Sequence, residues 1–263
     1  MFSAFQFLAA FFQFVAVFAI WILRADINTF AIFMLIANIF IVLFAFTLHR
    51  SRINYRFFSL LRTFALLKAS AHMAVIGTLR LVYERIAITI LPALTGLSMT
   101  GAFSVSSRLT EAGKLGHLSA FTAMYPEMAR DADFGKQMKG IRLLLGMAFL
   151  ISLFVFIFAE IIIRILFGAE FILSIQPLRI MIWVIVPYVL VTYTSLGLVA
   201  LGYEKPVLVS QLVALFVLLT LLVLITPAFG VIGASLAVLS AEIVHAVLLW
   251  YQWRGYVVPK SSR

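Results

Sequence analysis

Two stretches of bilayer length carry charges where a helix facing lipid would carry none. Residues 72–97 hold Arg80, Glu84 and Arg85, and residues 100–127 hold Arg108, Glu111, Lys114, His117 and Glu127. A charge at mid-bilayer costs about 2.5–3.5 kcal/mol on insertion scales. Each Leu, Ile, Val or Phe contributes only about 0.3–0.6 kcal/mol in return. The first stretch has eleven such residues, worth roughly 5 kcal/mol, against about 8 kcal/mol for its three charges. It therefore needs a polar interior built with other helices, and that interior is the expected working site.

The composition sets the class. Of 263 residues, 64% are hydrophobic and 11% charged, with mean hydropathy +1.14; soluble chains carry about 25% charged residues. Apolar runs recur at membrane-crossing length and are continuous rather than alternating, which points to α-helices and away from a β-barrel. The expected fold is an all-α integral membrane protein of about eight transmembrane helices. The net charge of +10 reads as basic cytoplasmic loops; no region is long enough for a nucleic-acid-binding module. The absence of cysteine excludes disulfides and thiolate metal sites, and four scattered histidines give no metal centre. No cofactor is expected.

In chain order, spans are expected at 3–23, 28–48, 72–97, 100–127, 141–167, 178–202, 206–226 and 231–253. Residues 49–71 interleave His49, Arg50, Arg52, Arg56, Arg62 and Lys68 with aromatic and aliphatic residues, the pattern of a basic amphipathic connector at an anionic surface or of a plain basic loop. Residues 168–179 read as a re-entrant or interfacial turn, with Pro177 in the first turn of the next helix. Pro187 marks a kink, and 226–230 (Thr-Pro-Ala-Phe-Gly) a turn. With the N-terminus inside, cytoplasmic segments hold thirteen Lys and Arg and outer ones only Arg24, Arg164 and Arg179. That bias places both termini, including the tail 254–263, in the cytoplasm.

Spans three and four run antiparallel in this topology, so their charges meet near mid-depth. Arg80 and Glu84 share a face, and Arg108, Glu111, Lys114 and His117 are successive i,i+3 neighbours. Glu242 and His245 form another such pair in the last span. These groups either neutralise one another as Arg80–Glu84, Arg108–Glu111 and Glu242–His245, or line a wet cationic cavity. With Glu127 set aside as close to the inner surface, four deep cations face two carboxylates. That surplus suits an anion such as phosphate or pyrophosphate, which arginine binds bidentately. Arg80, Arg85, Arg108 and Lys114 are the candidate substrate-binding residues. Glu84, Glu111, Glu242 and His245 are candidates for proton coupling.

Four stretches in order carry a family resemblance: Leu81-Val82-Tyr83-Glu84-Arg85-Ile86; Gly101 through Ser107-Arg108-Leu109, followed by Tyr125-Pro126; Gly168-Ala169-Glu170-Phe171 through Pro177-Leu178-Arg179; and Pro227 with Gly230 and Gly233-Ala234. The region from about 65 to 253 resembles the polysaccharide flippases (Wzx-type exporters of O-antigen and other lipid-linked oligosaccharides), in the larger group with MATE exporters and lipid II flippases. It departs from them at Ala87, where the family has Asp, and at Phe103, where it has Tyr. The resemblance implies two six-helix bundles around a central cavity. On that template, 1–48 supplies two helices of the first bundle, 49–71 the connector and 72–253 the whole second bundle. The resemblance also implies that a separate chain supplies about four further helices to an N-terminally truncated member.

The implied function is a transporter, not an enzyme, that moves a lipid-linked anionic glycan across the cell inner membrane by alternating access. A MATE-like multidrug exporter fragment and an inactive remnant remain open alternatives. A membrane glycan polymerase or ligase ranks below them, because such chemistry usually needs a large outer loop and the longest outer segment here is 168–179.

Overall fold

A computed structural model of the chain describes residues 14, 15, 18, 26–49, 60–130 and 134–261. Among these residues there are helices and turns and no strand. The first expected span and residues 50–59 of the connector lie largely outside them. The chain forms two compact units, 1–68 and 69–263.

In the first unit, α1 (Ile27–His49) is mostly apolar. Two of its polar side chains are satisfied locally: Asn38 donates to the Met34 carbonyl at 2.7 Å and Thr47 to that of Phe44 at 2.9 Å. Such back-bonding lets a polar residue sit in a helix without a partner elsewhere.

The second unit begins within α2 (Leu60–Thr95), which runs unbroken through the point where the sequence separates connector from third span. Pro92 does not unwind it. The helix ends at Gly96, whose φ of 83° is a left-handed conformation that favours glycine. The Gly96 N–H donates to the Pro92 carbonyl at 3.1 Å, and its own carbonyl accepts from Thr100 at 3.2 Å. One residue thus closes α2 and opens α3 (Leu97–Arg130).

α4 (Phe134–Leu166) follows, then a 3-10 segment (Ala169–Ser174) and α5 (Ile175–Met181), with Pro177 in its first turn. A second 3-10 turn, Ile182–Val184, separates α5 from α6 (Ile185–Ala200). Pro187 explains this break, since it has no N–H for the Trp183 carbonyl and its ring crowds that oxygen. Ser152 of α4 donates to the Ile182 carbonyl within the broken turn at 2.9 Å. Buried hydrogen bonds of this kind contribute about 0.6 kcal/mol on average in helical membrane proteins and at most about 1.7. Ser152→Ala is therefore expected to lower unfolding stability by that amount, read by denaturant titration in detergent.

α7 (Glu204–Ser261) contains a sharp break at Gly230 (φ 55°, ψ −138°). A straight helix would separate residues 225 and 233 by about 12 Å. Instead a Cβ at Gly233 would lie 2.7 Å from the Ile225 carbonyl oxygen, so the backbone turns back on itself in the segment expected to form a turn. Because that neighbour is backbone, it cannot rotate away. Gly233→Ala is expected to cost about 1–3 kcal/mol, the range for overpacking. Gly255→Ala, with open space around it, is the control.

One cluster of the core centres on small residues. Ala234, Ala237 and Ala241 of the second arm of α7 are fully buried against Tyr83, Ala87 and Leu91 of α2, Phe103 of α3 and Met181 of α5. Small side chains allow the close backbone approach that helices need where lipid gives no hydrophobic drive. Outward faces carry large apolar residues, such as Leu150, Phe154, Ile157 and Ile161 on α4. Among the described residues, three helical stretches, Met138–Leu166, Ala169–Ala200 and Glu204–Tyr256, are long and apolar enough to cross a membrane.

Candidate functional site

The Gly96 hairpin sets the register of α2 against α3. Arg85 and Glu111 face each other across it, with Arg85 Nη1 3.7 Å from Glu111 Oε1. Nearer the open end, Arg80 of α2 and Lys114 of α3 converge on one residue of α6, Tyr188. Arg80 Nη2 donates to the Tyr188 hydroxyl at 2.7 Å. Its Cζ lies 5.8 Å from the ring centroid and Lys114 Nζ 4.7 Å from it. A ring face attracts a cation by about 0.5–2 kcal/mol, depending on desolvation, so Tyr188 holds two like charges from different helices beside one another. Arg80 Nε also donates to Glu84 Oε1 at 3.1 Å.

Behind this group lies a buried set on α2 and α7. The Tyr83 hydroxyl donates to Glu242 Oε2 at 2.8 Å, and the Tyr83 ring meets that of His245 edge-on with centroids 6.1 Å apart. Glu242 and His245 are 2% and 3% exposed. Neither His245 nitrogen has a hydrogen-bond partner among the described residues, nor do Gln211 Nε2 and Thr192 Oγ1.

Two adjoining cavities join these groups. One, of about 300 Å³, is lined by Arg85, Ser107, Thr110 and Glu111 among others. The other, of about 410 Å³, is lined by Thr192, Ser195, Gln211 and His245 among others. Both share Arg80, Tyr83, Glu84, Lys114, Tyr188 and Glu242. Each volume lies within the usual range for a small-molecule site, about 300–1,000 Å³.

The expected site residues distribute as follows. Arg80, Arg85, Lys114, Glu84, Glu111, Glu242 and His245 come together around the cavities. Arg108 lies on an exposed part of α3 and lines neither. Glu111 faces Arg85 rather than Arg108, and Glu242 takes its hydrogen bond from Tyr83 rather than His245. The side chains of His117 and Glu127 are outside the described residues. The charge count also differs from the expected surplus: the described lining holds Arg80, Arg85 and Lys114 against Glu84, Glu111 and Glu242, three of each sign. Tyr188 and Gln211 were not singled out from sequence, and Tyr83 only within a motif. The adjacency of Tyr188 to Pro187 was the one local signal for it. Among the described residues no cluster of His, Asp or Glu could hold a metal ion.

No protein-family model, curated protein or solved structure matches the chain.

Proposed function

We propose that the chain is a flippase-type transporter subunit that moves a lipid-linked anionic glycan across the inner membrane. The observation that carries this reading is the convergence of Arg80, Arg85 and Lys114, from two antiparallel helices, on a cavity beside Tyr188. A cluster of partly exposed cations lining open volume is suited to a phosphate or pyrophosphate group, with arginine giving paired N–H donors and lysine a point charge. Carboxylates beside them, Glu84 and Glu111, keep the empty site from being an uncompensated charge in a low-dielectric interior.

In this proposal eight spans cross the bilayer with both termini in the cytoplasm, the reversal at Gly230 separating the last two. Residues 72–253 form one bundle, 1–48 contribute two helices to another, and 49–71 connect them. The guest sits in the cavity beside Tyr188, which alternating access exposes to either side in turn. No step involves bond making or breaking.

The test is complementation of a flippase-null strain with the double variant Arg85→Ala/Lys114→Ala, at matched membrane abundance. Loss of surface glycan export is expected, with the protein still inserted. Export at the unaltered level would remove the cavity from the mechanism. Protection against cationic drugs, retained by the same variant, would instead favour the multidrug reading.

A further inference from the structure

Resting on the anion-site reading, we infer that the anion enters this cavity together with a proton taken up by the Glu242–His245 pair, not in exchange for one. The charge count is the starting point. With every carboxylate ionised and His245 neutral, the described lining carries three positive and three negative groups. Such a site has no formal surplus to attract an anion. It gains one when Glu242 is neutralised or His245 becomes an imidazolium, and these two groups are the titratable side chains buried most deeply at the cavity.

The surroundings leave room for that proton. From α2, Tyr83 donates to Glu242, while Arg80 and Glu84 line the same space. From α3 come Glu111 and Lys114, and from α6 Tyr188. The first arm of α7 contributes the neutral Gln211. No cation among these is within salt-bridge distance of Glu242, since Arg80 pairs with Glu84 and Arg85 with Glu111. His245, whose two nitrogens are buried and unpartnered among the described residues, is one of the residues lining the cavity that holds Arg80 and Lys114. An anion beside Lys114 and a proton on this pair each lower the electrostatic cost of the other. Linkage makes the effect reciprocal: protons strengthen anion binding by the factor with which the anion strengthens proton binding.

Sulfate is the probe, because its charge is constant over the range used. Its affinity for the purified chain in detergent is measured by calorimetry from about pH 8 to about pH 5, the range across which histidine changes charge. Binding is expected to tighten as pH falls, by up to about tenfold per pH unit while one proton is linked. Glu242→Gln imitates the protonated carboxyl, so at the upper pH it should bind as tightly as the unaltered chain does at the lower pH, with a flattened profile. His245→Gln should remove any slope that remains. Should the Glu242 variant fail to fold, heats of binding to the unaltered chain in two buffers of different ionisation enthalpy report the proton directly, and uptake is expected. Sulfate affinity independent of pH, with no proton uptake, would overturn the coupling and leave the anion site standing. Sulfate binding absent at every pH, or indifferent to Lys114→Glu, would overturn the anion site and the coupling with it.

Discussion

Lys114→Glu should weaken binding of a divalent anion at least about 100-fold and abolish transport. At about 5 Å and an effective dielectric constant near 20, one unit of charge acting on another is worth roughly 3 kcal/mol. Reversal removes that attraction and adds a repulsion of the same order, and each 1.4 kcal/mol is about a factor of ten in affinity. Lys114→Gln should lose less, because Arg80 remains beside the Tyr188 ring. The exchange Lys114→Glu with Glu111→Lys keeps the net charge and moves the cation by one turn of α3, close to Arg85. It should recover part of the affinity. If both the reversal and the exchange leave anion affinity intact, the cationic wall is structural only.

Trp253→Ala should bring the largest loss of stability, about 3–5 kcal/mol, the range for truncating a fully buried tryptophan. Trp253 is 1% exposed. It stacks on Trp250, with ring centroids 5.4 Å apart, and meets the Tyr193 ring edge-on at 5.7 Å. Its indole also fills the space over Gly197, where an added Cβ would lie 3.0 Å from Nε1. This contact ties the second arm of α7 to α6, and α6 carries Tyr188. The variant should therefore unfold at lower denaturant and lose anion binding together. Leu150→Ala, on an exposed apolar face, should change little. A Trp253 variant within about 1 kcal/mol of the unaltered chain would mean that this end of the bundle is packed differently.

Some element boundaries are legible in the sequence because their punctuation is chemical. Gly96 ends one helix and starts the next, Pro187 interrupts another, and Thr226-Pro227-Ala228-Phe229-Gly230 marks a reversal, each a residue type with a fixed backbone consequence. The side-chain meetings were less legible because they depend on helix rotation. Arg108, Glu111 and Lys114 are i,i+3 neighbours, yet each such step turns about 60° backwards around a helix of 3.6 residues per turn. Two steps set Arg108 about 120° from Lys114, so the string winds off the face that lines the cavities. The same drift separates His245 from Glu242, and Tyr83, on another helix, takes the carboxylate. Spacing along one helix identified groups that could pair. It carried no information on which neighbour a second helix would offer. Tyr188 is the clearest case, being 108 residues from Arg80 in a stretch that reads as apolar filling.

Anion binding requires that water and a charged solute reach the space between α2, α3 and α6. The cysteine-free sequence permits a direct measurement in native membranes: single cysteines at Ser195 and Thr110, which line the cavities, and at Leu150, which does not, treated with a charged, membrane-impermeant thiol reagent. A cysteine in hydrocarbon forms no thiolate and does not react. Labelling of Ser195→Cys and Thr110→Cys, slowed by pyrophosphate, with Leu150→Cys unlabelled, is the predicted result. Failure to label either cavity position in membranes where the protein is folded, or labelling that pyrophosphate leaves unchanged, would contradict it.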